Sequence, residues 1–399
     1  MYFRKEITAM AGYVPGEQPK PGEAVKLNTN ENPYRASDRV YEAILAVCEA
    51  GLAESNQISL ATPAESNQIC PATPADSNRI RPATPADSNQ IRPATLSRYP
   101  NALGEPFREA AAEVYGVERD MVLCGNGSDD ILTILTRTFV GEGELLRLPR
   151  PSYILYKSLA EIQGARSEEI RFDEHWQLPP EFAQPKEGLK LVFLPNPNSP
   201  SGTVVAKEKI LELAEQLPCP LIVDEAYADF ADFNCIDLVA KCEKIIVTRT
   251  LSKAYSLAGL RFGWLFAQPH LVEQMIKVKD SYNCDALSIA AATAAILDRD
   301  WQRDNRRKLL ATRARLTDGM RKLGFHVPDS QANFTWNVHP EGSNATGNAS
   351  HKSIYEHLKR RGYLVRYMNY AECGDGLRIS VGTDEQIDNC LSLVEEAIM

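Results

Sequence analysis

The chain has 399 residues, of which 44% are hydrophobic and 24% charged, an ordinary globular composition long enough for one large or two medium domains. A net charge of −9 argues against a nucleic-acid surface, which needs a clustered basic face, and no apolar run approaches the ~20 residues that span a bilayer. Nine scattered cysteines without C-x-x-C, six histidines without H-E-x-x-H and an N-terminus without an apolar signal core lead us to expect a cytoplasmic protein with reduced thiols and no metal site.

In chain order, residues 1–52 hold the helical pattern YEAILAVCEAGLA and are expected to pack with a C-terminal module. Residues 53–96 repeat an 11-residue unit four times, from AESNQISLATP to ADSNQIRPATL. Each copy carries one isoleucine, and most end in proline, so a unit cannot bury an apolar face large enough to offset its ordering entropy. A flexible surface insertion is expected there, with a short stack of turns as the alternative. Residues 97–290 alternate strand-like and helix-like runs. KLVFL, PLIV and KIIVT are continuous apolar strands suited to burial on both faces, and KEKILELAEQL between the first two has helical spacing. This predicts an α/β architecture, a three-layer αβα domain around a mostly parallel sheet, with ligand chemistry at the carboxyl ends of the strands. Residues 291–399 change texture: a long charged helix, FTWNV, SIYEHLKRRG, YLVRYM, GLRISVG and a last helix make a smaller α+β domain.

The residues able to carry chemistry sit at the ends of those strands. In VTRTLSKAYSLAGLRFGW, Lys253 follows a buried strand beside Thr250 and Ser252, with Arg261 downstream. Alone, such a lysine is more often a surface residue; in company it suits covalent bonding to an aldehyde cofactor whose phosphate the hydroxyls and guanidinium hold. In PLIVDEAYADF, Asp224 stands where the strand stops, placed to pair with a protonated ring nitrogen, and Tyr227 can reach a phenolic oxygen. An N-cap aspartate is the plainer reading. In VLCGNGSDDILTILTRTFV, glycines precede Ser128 and Asp129 at a helix start, a phosphate cradle lacking the P-loop lysine. LPNPNSPSG brings Asn198 and Ser199 to the sheet edge, Tyr153 of RPSYILY can stack on a planar ring, and Arg378 of GLRISVG is either a solvated side chain or an anion clamp. Together these describe a site for pyridoxal 5′-phosphate.

With LNTNENPY, RYPN, GNGSDD, PSYILY, PNPNSPSG, VDEAY, TLSKAYSLAGLRFGW and LRISVGT in this order, the chain resembles the class I/II pyridoxal-phosphate-dependent aminotransferases of fold type I, from about Lys26 to the end apart from the repeat. The resemblance implies that Lys253 bonds the cofactor and moves the substrate proton, that Asp224 pairs with the ring nitrogen and Tyr227 with the phenolic oxygen, and that Tyr153 stacks on the ring. It assigns the phosphate to Ser128, Asp129, Thr250, Ser252 and Arg261, and to Tyr99 from the neighbouring subunit of a homodimer. It assigns substrate anions to Arg378 and Arg366, with Asn32 beside them. Where the family reads N-P-T-G, this chain has Ser199 preceded by Asn198, and either can take the cofactor contact. The opening motif resembles family members that exchange the amino group of L-histidinol phosphate with 2-oxoglutarate. An aromatic amino-acid aminotransferase or a threonine-phosphate decarboxylase on the same fold, and a non-catalytic cofactor-binding regulator, are the alternatives.

Overall fold

The computed structural model describes residues 2–10, 16–20, 22–59, 96–342, 350–370 and 373–399. The elements up to the site are α1 (Lys5–Ala9), β1 (Val25–Lys26), α2 (Asp38–Ser59), α3 (Glu105–Tyr115), β2 (Val122–Gly125), α4 (Ser128–Phe139), β3 (Leu145–Arg150), α5 (Leu155–Gln163) and β4 (Arg166–Arg171). They continue through β5 (Leu189–Pro195), α6 (Lys207–Gln216), β6 (Leu221–Asp224), α7 (Leu238–Lys241), β7 (Ile245–Thr250), β8 (Gly263–Phe266), α8 (Pro269–Ile276) and α9 (Ala286–Leu297). Helix α2 runs into the first copy of the repeat, and the expected insertion from residue 60 to 95 lies outside the described residues.

Seven strands form one sheet in the order β2-β8-β7-β6-β5-β3-β4. All neighbours run parallel except β8, which is antiparallel to both β2 and β7. The central strands read as unbroken apolar runs because successive side chains enter different cores. Val192, Leu194, Leu221, Val223, Ile245 and Val247 pack with α3, α6 and α9, whereas Leu191, Phe193, Ile222 and Ile246 pack with α4, α5 and α8. In the central strands β5, β6 and β7, sealed between helical layers, the polar side chains stand toward the strand ends.

The smaller domain follows with α10 (Arg299–Lys322), β9 (Phe334–Asn337), α11 (His351–Arg360), β10 (Tyr363–Leu364), β11 (Arg366–Tyr370), β12 (Gly374–Ser380) and α12 (Asp384–Ile398). β12 lies between β11 and β9, antiparallel to both, and Leu316, Met320, Ile354, Leu358, Leu377, Ile379, Ile387 and Val394 fill the core beneath. A reciprocal capping box between Thr383 and Gln386 starts α12. The sequence suggests one strand through YLVRYM; the structure divides it, because Tyr363 and Leu364 pair with β1 whereas Arg366 onward pairs with β12. The N-terminal segment is likewise shared. Leu27 enters the small-domain core, and Ala36 and Val40 enter the large one.

One close backbone approach holds β8 against the start of α4. Gly263, opening β8, lies so near that helix that an added Cβ would stand 2.6 Å from the Ser128 nitrogen and 2.7 Å from the Gly127 carbonyl carbon. Backbone cannot swing aside as a flexible side chain can. Gly263→Ala is therefore expected to lower the free energy of unfolding by about 1–3 kcal/mol, the usual cost of overpacking, in equilibrium denaturation. Unchanged stability would show that α4 shifts freely.

Candidate active site

The carboxyl ends of β5, β6 and β7 open into a cavity of about 430 Å³, within the size range of small-molecule sites. Asp224, the last residue of β6, lies on its wall and is 5% exposed. Its Oδ2 accepts from the Tyr156 hydroxyl at 2.6 Å, and Oδ1 accepts from the Thr248 hydroxyl at 3.1 Å and the Ala226 amide at 3.2 Å. All three donors are neutral. Burial pushes the carboxyl above its ordinary range, and these hydrogen bonds pull it partly back. The next residue, Glu225, pairs with buried Arg249 at 2.8 Å, and Arg249 also bonds Asp229. Two adjacent carboxylates are thus buried in different surroundings, one neutralised by a guanidinium and one facing the cavity.

Lys253 lies just beyond β7. Its Nζ donates to the Thr29 carbonyl at 3.0 Å and stands 5.9 Å from the centre of the Tyr227 ring. Burial, and then the positive Arg378, bring the ammonium pKa down to about 8. Tyr227 accepts a hydrogen bond from Asn30 Nδ2 at 2.9 Å. Burial raises its phenol pKa, against the pull of Arg378 and Asn30.

The start of α4 presents Ser128 and Asp129 to the cavity wall, which Thr250, Ser252 and Arg261 also line, and Arg261 lies 3.7 Å from the Asp129 carboxylate. Gly127 at φ 87° leaves room for the Arg261 guanidinium, whose NH2 would be 2.5 Å from a Cβ there. Amides at a helix start, hydroxyls and a guanidinium together form an anion cradle. Tyr153 lines the wall and donates to Asp129 at 3.2 Å. From the small domain, Arg378 lines the cavity and donates to the Ser199 hydroxyl and the Asn28 carbonyl, each at 2.9 Å. Arg366 sits opposite Arg378 in the β11–β12 register and also lines the cavity, with Met368 and Tyr370. Like charges facing each other across a ladder repel, and an anion between them offsets that cost.

Three expected site residues lie outside the cavity wall. Asn198 is buried, donating to the Pro151 carbonyl at 3.3 Å and to Ser201 at 3.0 Å, so the cavity position falls to Ser199. Asn32 turns its amide onto the carbonyls of Lys253 and Ala254. Tyr99 is 81% exposed and stacks on Tyr282, with ring centres 4.5 Å apart. The sequence reading missed Tyr156, Thr248, Asn30 and the Thr29 carbonyl. Tyr156 had a readable signal, three residues after Tyr153 on the same turn of chain. No cluster that could hold a metal occurs among the described residues.

These features have relatives. A family model described as aminotransferase class I and II matches residues 65–394, and the chain belongs to that family. The histidinol-phosphate aminotransferase of Rhodopirellula baltica is 50% identical over 399 residues, covering 100% of this chain and 96% of that protein. Histidinol-phosphate aminotransferase 1 of Trichormus variabilis is 40% identical, covering 96% of this chain and 95% of its own. Among solved structures, the histidinol-phosphate aminotransferase of Sinorhizobium meliloti in complex with pyridoxal 5′-phosphate superposes with a TM-score of 0.76 at 20% identity, covering 100% and 97% of the two chains, a likeness of fold.

Pyridoxal 5′-phosphate is the cofactor these residues fit. Asp224 is a buried carboxylate bonded only by neutral groups among the described residues, and a protonated ring nitrogen would supply a cation there. Lys253 would meet the aldehyde and the α4 cradle would meet the phosphate. The lowered lysine pKa makes a kinetic statement. The neutral amine is the nucleophile, so in cofactor-free protein the rate of covalent capture should climb with pH through a midpoint near 8. Stopped-flow absorbance would check this; a rate still climbing in proportion to hydroxide above about pH 10 would mean an unperturbed lysine.

Proposed function

We propose that the protein transfers the amino group of L-histidinol phosphate to 2-oxoglutarate, giving imidazole acetol phosphate and L-glutamate, a step of histidine biosynthesis. The observation that carries this reading is the pair of guanidiniums, Arg366 and Arg378, that the small-domain strands β11 and β12 bring to the cavity wall, on different elements from the α4 cradle. One anion cradle suits the cofactor phosphate; the arginine pair then suits a second anion, the phosphate of one substrate or the carboxylates of the other. The full-length relatives named histidinol-phosphate aminotransferase support the same substrate.

When bound, the cofactor supplies an aldehyde and a ring able to accept electrons. Lys253 binds that aldehyde and yields its place to an incoming amine. Released in a cavity where its pKa is near 8, it has an appreciable neutral fraction and can take the proton from the substrate Cα. The same Nζ then delivers the proton to the adjoining cofactor carbon, since one amine reaches both positions. Asp224 keeps the ring nitrogen protonated throughout, and Tyr156 and Thr248 fix its carboxylate plane. Tyr227 holds the phenolic oxygen, Tyr153 covers the ring and excludes water, and Arg378 orients the substrate anion. The keto-acid acceptor runs the sequence backward in the same cavity, giving ping-pong kinetics.

Two copies are proposed to share their sites in the cytoplasm, each lending Tyr99 to the other's cofactor phosphate. The exposed Tyr99–Tyr282 stack, standing beside Arg261 through Tyr282, supports this arrangement. The eight described cysteines are all unpaired, and no helix among the described residues is long and apolar enough to cross a membrane.

The decisive measurement is the visible spectrum of the cofactor-loaded protein titrated with L-histidinol phosphate. Loss of the absorbance, restored by 2-oxoglutarate, is the expected result, and Lys253→Ala should show neither the absorbance nor turnover. A response to aromatic amino acids alone would move the substrate assignment. Separately, Tyr99→Phe should weaken cofactor retention about tenfold in equilibrium dialysis, the scale of one charge-assisted hydrogen bond; unchanged retention would remove Tyr99 from the site.

A further inference from the structure

Asn30 lies in the N-terminal segment, far in sequence from the cofactor residues, yet it is 1% exposed and in contact with one of them. Its backbone adopts φ 56°, a left-handed conformation that asparagine tolerates better than most residues. Four hydrogen bonds fix it there. Its amide donates to Ser380 Oγ at 2.9 Å, and the Ser380 hydroxyl donates back to Asn30 Oδ1 at 2.9 Å. Asn333 Nδ2 donates to its carbonyl at 2.9 Å, and its own Nδ2 donates to the Tyr227 oxygen at 2.9 Å.

Proton counting gives this arrangement a direction. A serine hydroxyl has one hydrogen, and the Asn30 backbone N–H can only donate. Ser380 therefore accepts from the backbone and spends its hydrogen on Oδ1, which leaves the –NH₂ group facing Tyr227. Turning the amide over would aim two donors at Ser380 Oγ and leave a buried hydroxyl hydrogen without an acceptor. With Nδ2 donating to it, the Tyr227 oxygen is an acceptor on that side, so its own hydrogen points elsewhere, into the cavity that Tyr227 lines.

We propose that Asn30 is a positioning residue that sets Tyr227 as a hydrogen-bond donor to the cofactor's phenolic oxygen, and that Ser380 fixes its orientation. Ser199, which accepts from Arg378, has a single hydroxyl hydrogen to offer, so Tyr227 is the second hydroxyl donor in the cavity and the one whose direction Asn30 sets. A phenol that also accepts a hydrogen bond is a stronger donor, because the two bonds polarise one another. The inference rests on the cofactor assignment above.

The test uses the pH midpoint of the visible absorbance of cofactor-loaded protein, a readout separate from turnover. A donor to the phenolic oxygen stabilises its anionic form and lowers proton affinity at the neighbouring lysine-linked nitrogen. Asn30→Gly, which removes the side chain without straining a positive φ, should raise the midpoint by about half a pH unit, a roughly threefold gain in proton affinity. In a Tyr227→Phe background the same substitution should have no further effect. Ser380→Ala, which frees the amide to turn, should shift the midpoint the same way by less, and it carries the test if Asn30→Gly does not fold. An equal shift in both backgrounds, no shift, or a downward shift would each overturn the proposal, the last by showing that Asn30 takes the tyrosine's proton. Wild-type protein that develops no visible absorbance with the cofactor would instead overturn the cofactor assignment, and this inference with it.

Discussion

A carboxylate buried without a cationic partner among the described residues is the constraint around which this structure is arranged. Asp224 can be buried only because β6 ends where the sheet meets a cavity, and because three neutral donors partly replace its water. The alternation that places Val223 in one core turns its neighbour toward the ligand. Glu225, one residue on, faces the other way and is neutralised by Arg249, which also holds Asp229. The β6 end is therefore pinned from behind by a complete ion pair while its front remains electrostatically incomplete. Breaking a pair of that kind by removing one partner is far more costly than never having built it, so Arg249 is a structural requirement of a carboxylate it does not touch.

The lysine obeys the same logic with the sign reversed. Burial favours its neutral form, and Arg378 adds repulsion, so the fold itself favours the neutral amine at Nζ. The lowered amine and the raised carboxylate line one cavity, and burial disfavours the charged form of each. A ligand with a cationic ring nitrogen and an electrophilic carbon relieves both.

Much of this was legible in the sequence. The strand-end positions of Lys253 and Asp224, the glycine-bordered helix start at Ser128 and the strand that carries Arg378 could be read because each depends on local pattern: an apolar run, its end, and the residue there. The two-layer burial of the sheet was readable for the same reason. The contacts that escaped reading depend on distance. Asn30 meets Tyr227 and Ser380 across hundreds of residues, and nothing in the local spacing of LNTNENPY announces that. The choice between Asn198 and Ser199 turned on which of two adjacent side chains a proline-rich turn directs into the cavity, a matter of backbone path. The split of YLVRYM escaped because its two halves have different partners, one at each end of the chain.

The wide separation of those partners bears on when the protein becomes competent during synthesis. Asn30 leaves the ribosome early, yet its orientation waits for Ser380, 350 positions later. At elongation rates of about 5–20 residues per second, that interval is on the order of 20–70 s, and the sheet, whose last strand ends at Phe266, is complete with its lysine before the interval closes. The large domain can therefore form around an unfinished pocket, whose tyrosine acquires its final hydrogen-bond direction only as the last strand of the chain is laid down.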